Sequence, residues 1–196
     1  LTSWNGVTEK VFVGLDNFKA LFSNSDYWIT FWNTIKLVVI SLCIQIPVGL
    51  LLAYLLYSKV KGMKIFRTIF FLPVVIAPVA ISLMFSLFYN SEIGIFNKVL
   101  EAIGLGRFAT NWLSNIHTLL YAVMVPQVWQ YIGLYVTIFL GALQSMPEEL
   151  SESAQIDGAN RTQTFFHVVL PEIANFTNIC VILCVTGSLK AFEHSW

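Results

Sequence analysis

Few residues in this chain are placed to do covalent chemistry. His117, His167 and His194 lie at or beyond the ends of apolar stretches, no His-Glu-x-x-His pair occurs, and no apolar stretch holds an acid that could serve as a general base. There is also no G-x-x-x-x-G-K-[ST] sequence to cradle phosphates, so any nucleotide hydrolysis must take place on another chain. The pattern predicts no catalytic residue, no metal ligand and no cofactor. It does set neutral polar groups in apolar surroundings: Gln127, Gln130 and Tyr131 beside Trp129, and Cys184, Thr186 and Ser188 further on. Amides and hydroxyls next to aromatic rings suit a polyhydroxylated solute, whose OH groups need donors and acceptors while its CH faces stack on a ring. The alternative for the same residues is hydrogen bonding between helices, about 0.6 kcal/mol each on average. Gln45, on an earlier stretch, reads as structural.

A second group of residues is polar and strongly punctuated. Between Ser145 and Pro171, Ser145 and Glu148 have capping-box spacing with Pro147 in the first turn, which predicts a short helix there. Met146, Leu150, Ser153 and Ala154 would share one face of it as a shallow ridge. Asp157 and Gly158 form a turn signal, glycine adopting the left-handed conformation that ends a helix. Asn160 and Gln163 repeat the capping pattern, predicting a second short helix over Arg161–Val169 with Phe165, Val168 and Val169 on one side and Pro171 ending it. Such a helix, turn and helix unit is stiff enough to transmit a push. Its alternative is an amphipathic segment lying on the headgroups.

The elements that must position these residues follow from composition. Of 196 residues, 57% are hydrophobic and 11% are charged, with a mean hydropathy of +0.72; a soluble domain carries about 25% charged residues. Lipid is therefore the solvent for much of the surface. A helix crossing the hydrocarbon core needs about 20 apolar residues, and four stretches qualify: Leu37–Tyr57, Thr68–Asn90, Thr118–Leu143 and the shorter Ile173–Leu189. With flanks they predict spans over about 28–57, 66–90, 117–143 and 172–190, an outer segment 1–27 and a cytoplasmic loop 144–171. Pro47, Pro73, Pro78 and Pro126 are expected to kink helices whose freed carbonyls find partners in the bundle. The small pairs Gly49 with Ala53, Ser82 with Ser86 and Gly187 with Ala191 suit close helix packing. Cys43, Cys180 and Cys184 sit in apolar stretches as small hydrophobes.

Eleven basic and eleven acidic residues cancel, so net charge gives no hint of nucleic acid. Placement is more informative. Lys59, Lys61, Lys64 and Arg67 cluster within nine residues, which by the positive-inside tendency puts residues 58–65 in the cytoplasm, with 144–171, and residues 1–27 outside. Lys36 can snorkel to water. No span carries a central charge, which argues against a proton relay or voltage sensor. The chain opens on Leu1 without a basic-then-apolar leader, which predicts a segment of a longer protein.

The run Glu152-Ser153-Ala154-Gln155-Ile156-Asp157-Gly158-Ala159, followed by Phe165 or Phe166 and by Leu170-Pro171, resembles the EAA loop of permease subunits of bacterial and archaeal ABC importers. Its Ile-Asp-Gly-Ala form is similar to the branch that imports carbohydrates, polyols and glycerol phosphate. Further likeness lies in Gly14-Leu15-Asp16-Asn17-Phe18, Phe66-Arg67-Thr68, Leu72-Pro73, Asn111-Trp112-Leu113, Trp129 and Ser188-Leu189-Lys190-Ala191-Phe192. Ser153 departs from the motif, standing where a second alanine is usual.

The resemblance implies an all-α, polytopic transmembrane bundle of the type I ABC importer permease kind, with about four of six spans in this chain. It implies a multi-pass protein of the bacterial or archaeal plasma membrane whose partners are a cytoplasmic ATP-binding subunit dimer, a second and different permease, an extracytoplasmic solute-binding protein and the bilayer. Glu152, Ser153, Ala154, Asp157, Gly158 and Ala159 would couple the loop to the ATPase; Gln127, Gln130, Tyr131, Cys184 and Ser188 would line the solute pathway. Competing readings are a non-conducting structural partner of a paired permease, an ATP-independent transporter and, least compatible with the residues, an intramembrane enzyme.

Overall fold

The computed structural model describes all residues except Asn5, Thr8, 58–61 and 191–196, and the side chains of Lys64 and Glu148 are also not described. Lys59 and Lys61 of the basic cluster, the pairing of Gly187 with Ala191, the motif residues Ala191 and Phe192, and His194 fall outside the described residues.

The chain divides into two compact units, Leu1–Leu37 and the remainder from Val38. In the first, strands β1 (Thr2–Ser3) and β2 (Val11–Phe12) form an antiparallel ladder, and helix α1 (Asp16–Ser23) follows. The Asn17 amide donates to the Thr2 carbonyl at 3.1 Å, tying α1 to the ladder. Trp28 donates its indole N–H to the Phe22 carbonyl at 2.9 Å within an aromatic group of Phe22, Tyr27, Trp28, Phe31 and Trp32.

Helix α2 (Ser25–Tyr57) is 33 residues long, about 50 Å at 1.5 Å per residue, and Pro47 lies inside it without ending it. Helix α6 (Leu119–Ser145) likewise holds Pro126. These two are long and apolar enough to cross a bilayer unaided. The stretch expected as one span over Thr68–Asn90 is instead two helices, α3 (Met63–Val75) and α4 (Pro78–Phe88), meeting at 94°. The cause is Pro78: it has no N–H for the Val74 carbonyl, and its ring drives the preceding residue out of the helical region. Ala77 is accordingly outside the helical region, at ψ 132°, and Ile76 before it is extended, at ψ 138°.

The connection between α4 and α6 contains α5 (Ile95–Ala102) and a 3-10 turn at Gly106–Phe108. After α6 come α7 (Glu148–Ile156), α8 (Arg161–Thr164), a π-helical turn at Phe165–Val169, α9 (Leu170–Glu172) and α10 (Ala174–Leu189). The chain bends by 69° between Arg161–Glu172 and α10.

Helix α6 is the hub, packing on α3, α4 and α10. The buried core takes Ala53 from α2, Val136, Phe139, Leu140 and Leu143 from α6, and Ile173, Cys180 and Cys184 from the last segment. Two glycines set how closely helices approach. A Cβ on Gly49 would lie 2.7 Å from the Tyr135 Cβ, and one on Gly133 would fall on the Phe70 carbonyl. Small residues thus bring α2 and α3 against α6, where packing rather than the hydrophobic effect holds helices together in lipid. Leu51, Leu55, Leu83, Leu87, Ile179 and Ile182 remain exposed, an apolar surface suited to hydrocarbon.

Candidate functional site

The polar loop after α6 is held at both ends and open in the middle. Met146, Thr164 and Val169 are buried, and the Phe165 ring lies 4.6 Å from that of Tyr54 on α2. Between these anchors, Glu152, Ser153, Asp157 and Gly158 are exposed, while Ala154 and Ala159 are half-buried. The loop therefore brings all six expected coupling residues into one short segment.

Its two turns are built differently. The capping box expected at Ser145 does not form: Ser145 is the last residue of α6, and its hydroxyl donates back to the Ala142 carbonyl at 2.8 Å. Pro147 is the reason. Met146 before it is extended (ψ 133°), and α7 starts after Pro147 with no side-chain cap. Met146 consequently packs into the core instead of joining a ridge with Leu150.

At the far end of α7 the Gly158 N–H donates to the Gln155 carbonyl (3.1 Å) and the Ala159 N–H to the Ala154 carbonyl (2.9 Å), with Gly158 at φ +86°. This pair of bonds around a left-handed glycine is a Schellman stop. The second box is present in full: Gln163 N–H to Asn160 Oδ1 and Asn160 N–H to Gln163 Oε1, both 2.9 Å.

The expected helix over Arg161–Val169 is α-helical only to Thr164. A π turn follows, in which the Leu170 N–H reaches the Phe165 carbonyl. Widening there relieves the clash that Pro171 would make with the carbonyl four residues earlier, so the helix continues through Pro171 to Glu172. A cleft of about 400 Å³ opens between Asp157, Gly158 and Ala159 on one side and Gln163, His167 and Val168 on the other. Sequence reasoning passed over Ile156, which is 85% exposed; an isoleucine off the packed face of a polar loop was the available signal.

The expected pathway residues are mostly interior to the helix contacts. Gln127, Gln130, Cys184 and Ser188 are buried, and Tyr131 is half-buried. Gln45 on α2 donates to the carbonyls of Gln127 (3.4 Å) and Val128 (3.3 Å) and accepts from the Cys184 thiol (3.3 Å). One amide thus joins three helices, the structural role expected of Gln45. Gln130 stands apart, donating to the Ile76 carbonyl at 2.9 Å across the break between α3 and α4.

At the other end of α6, Trp112 donates its indole N–H to Asn97 at 2.8 Å, and the Asn97 amide donates to the Thr110 carbonyl at 3.1 Å. Trp112 also stacks edge-on against Phe96, within an aromatic cluster that includes Phe88 and Tyr89. The connection between α4 and α6 is thereby fixed to the helix ends.

Residues 45–192, which contain every residue of the loop and of the polar cluster, match the family model described as binding-protein-dependent transport system inner membrane component. The chain belongs to this family. Among relatives of this permease, a probable ABC transporter permease protein of Bacillus subtilis, YurN, is 35% identical over 199 residues, covering 100% of this chain and 68% of its own. The arabinooligosaccharides transport system permease protein AraP of the same organism is 35% identical over 190 residues, covering 96% of this chain and 60% of its own. The trehalose/maltose transport system permease protein MalF of Thermococcus litoralis is 28% identical over 187 residues, 95% of this chain and 63% of its own.

A solved bacterial ABC transporter involved in import of the acidic polysaccharide alginate superposes with a TM-score of 0.82 at 27% identity, over 93% of this chain and 64% of that one. The permease chain thus spans roughly two thirds of the length of these relatives. Its all-α, multi-span fold is that of an ABC importer permease.

Proposed function

We propose that this permease forms the alternating-access pathway of an ATP-driven importer for a sugar, polyol or related small polar solute. The observation that carries the proposal is the loop geometry: a segment anchored by Met146, Thr164, Phe165 and Val169 and stopped by a left-handed Gly158, with Glu152, Ser153, Asp157 and Gly158 exposed and Ala154 and Ala159 half-buried between the anchors. A short, doubly capped knob can move as one body, and rigid-body movement of such an element rocks the helices attached to it. Exposed Glu152 is able to pair with a cationic group of a partner.

The partner that moves the knob is a cytoplasmic ATP-binding subunit dimer. A second, different permease and an extracytoplasmic solute-binding protein complete the assembly; a related alginate transporter is described in complex with an alginate pentasaccharide-bound periplasmic protein, which supports the latter. Residues 58–65 and 144–171 face the cytoplasm and residues 1–27 the outside, in an inner-membrane, multi-pass protein. The sugar relatives support the solute class, and Gln127, Gln130, Tyr131, Cys184 and Ser188 are the pathway candidates.

Burial of Gln127 and Gln130 in helix contacts favours a second reading, a non-conducting scaffold for a paired permease. The test is reconstitution of the full-length protein with its partner subunits and a screen of sugars for stimulated ATP hydrolysis and uptake. Variants at Gln127 and Gln130 that shift the sugar preference support a pathway role; preference unchanged in correctly assembled variants supports the scaffold.

A further inference from the structure

The contact between α3 and α6 leaves a groove beside it. The helices touch where Gly133 meets the Phe70 carbonyl. One turn further along α6 an open groove of about 270 Å³ lies between them, lined by Arg67, Thr68, Phe71, Leu72, Val75 and Thr137. Its accessible wall is mostly apolar, and the Thr137 hydroxyl is buried within that wall. Such a surface is best covered by an apolar occupant.

Charge is confined to one end. Arg67, Phe71 and Val75 stand four residues apart on one row of α3, and from Arg67 to Val75 is eight residues, a rise of about 12 Å. Arg67 directly precedes the uncharged stretch that begins at Thr68, the level at which a long cationic side chain reaches the headgroups. It is exposed, and its guanidinium has no ion pair or hydrogen bond among the described residues. No acidic residue occurs between Asp26 and Glu92 or within α6, so neither wall of the groove supplies a counter-ion. Lys59, Lys61 and Lys64 precede Arg67 in the sequence and make this end more basic still.

We propose that this groove is a binding site for one anionic phospholipid, with an acyl chain lying along Phe71, Leu72 and Val75 and the phosphate paired with the Arg67 guanidinium. A guanidinium meets a phosphate through two parallel N–H···O bonds, and basic residues beside pockets between spans select acidic headgroups. The charge distribution decides against other occupants. A zwitterionic lipid brings its own cation to an end that is already basic, and a helix of a neighbouring subunit would leave Arg67 unpaired unless it carried an acid to the same depth. The inference needs the multi-span fold and is independent of the importer reading.

The test places the full-length permease, assembled with its partner subunits, in phosphatidylcholine nanodiscs and reads lipid contact at the rim of the groove. Ile69→Cys, at an exposed position of α3 next to Thr68, carries a bimane fluorophore in a chain whose exposed Cys43 is replaced by serine; Leu83→Cys, exposed on α4, carries it for comparison. Acyl-brominated lipid is then added as phosphatidylglycerol or as phosphatidylcholine. Half-maximal quenching at position 69 is expected at a mole fraction about fivefold lower for phosphatidylglycerol, the equivalent of about 1 kcal/mol for one basic residue at an acidic lipid, with no preference at position 83. Arg67→Gln is expected to abolish the preference and Arg67→Lys to keep part of it. Equal quenching by the two lipids at position 69, or the same preference at position 83, overturns the inference, leaving only the general lipid annulus. Absence of quenching by either lipid also overturns it, since a helix then covers the groove, and so does a preference that survives Arg67→Gln. All but the last of these outcomes are read with Arg67 in place, so failure of a variant to assemble does not shield the inference. Solute-stimulated ATP hydrolysis in the same discs tests the importer reading separately.

Discussion

Substitution of Gly158 separates two demands that the loop makes on one residue. The first is conformational: at φ +86° an L-residue other than Asn or Asp costs about 1–2 kcal/mol, and Asn costs less. The second is spatial. A Cβ at Gly158 meets nothing within 4 Å in this chain, so the permease itself has room for a side chain. An ATPase socket closing on the knob would not. Overpacking a well-fitted contact costs about 1–3 kcal/mol, which at 1.4 kcal/mol per decade weakens docking roughly 5- to 150-fold.

Gly158→Asn is therefore expected to leave the melting temperature of the purified permease nearly unchanged while cutting transport-coupled ATP hydrolysis by about tenfold or more. Gly158→Ala is expected to lower both, and Gly158→Asp to abolish uptake with the protein still in the membrane. The readouts are thermal melting in detergent and solute-stimulated hydrolysis in proteoliposomes. If Gly158→Asn couples like the wild type while Gly158→Ala fails, only the backbone conformation matters and the close-approach argument is wrong.

Three further substitutions test the packing. Gly133→Ala forces its methyl onto the Phe70 carbonyl and should lower stability by about 1–3 kcal/mol, seen as loss of the folded monomer in detergent gel filtration; retention of wild-type melting would refute the α3–α6 approach. Gln45→Leu removes the amide joining α2, α6 and α10 and should cost about 0.6–1.7 kcal/mol in melting experiments; a larger loss would mean a more specific role for this amide. Asn160→Ala breaks one half of the loop's capping box and should cost about 1 kcal/mol locally, visible as faster amide exchange over residues 161–164 with slower exchange elsewhere unaffected.

Local chemistry in the loop was legible from residue types. The Schellman stop at Gly158 and the reciprocal bonds of Asn160 and Gln163 depend on neighbours a few positions apart, so spacing sufficed to predict them. The family resemblance read from Glu152 through Pro171 is matched by the family assignment over residues 45–192. What was not legible depended on competition between elements. Ser145 had the spacing of a cap, yet α6 runs through it and Pro147 defers the next helix. Pro78 was expected to kink a span, but with Pro73 already within α3 and Gln130 available to take the Ile76 carbonyl, the chain turns by 94°.

The roles of the polar residues in the spans were the least legible. Gln45 was expected to be structural and its bonds clasp three helices, but Gln127 and Gln130 look alike in sequence, and only its partner shows Gln130 to brace a helix break. The approach of Gly133 to Phe70 could not be read from spacing either, because the contact joins two helices far apart in the chain.

In the proposed mechanism the knob around Gly158 receives force from a nucleotide-hydrolysing partner. Ile156 is the natural reporter, being 85% exposed beside that turn. A photo-crosslinker carried on Ile156→Cys in the intact assembly should capture the ATP-binding subunit, with a yield that changes when the nucleotide is trapped by vanadate. Capture of lipid alone, or modification of the same cysteine by a reagent confined to the extracytoplasmic side, would contradict it.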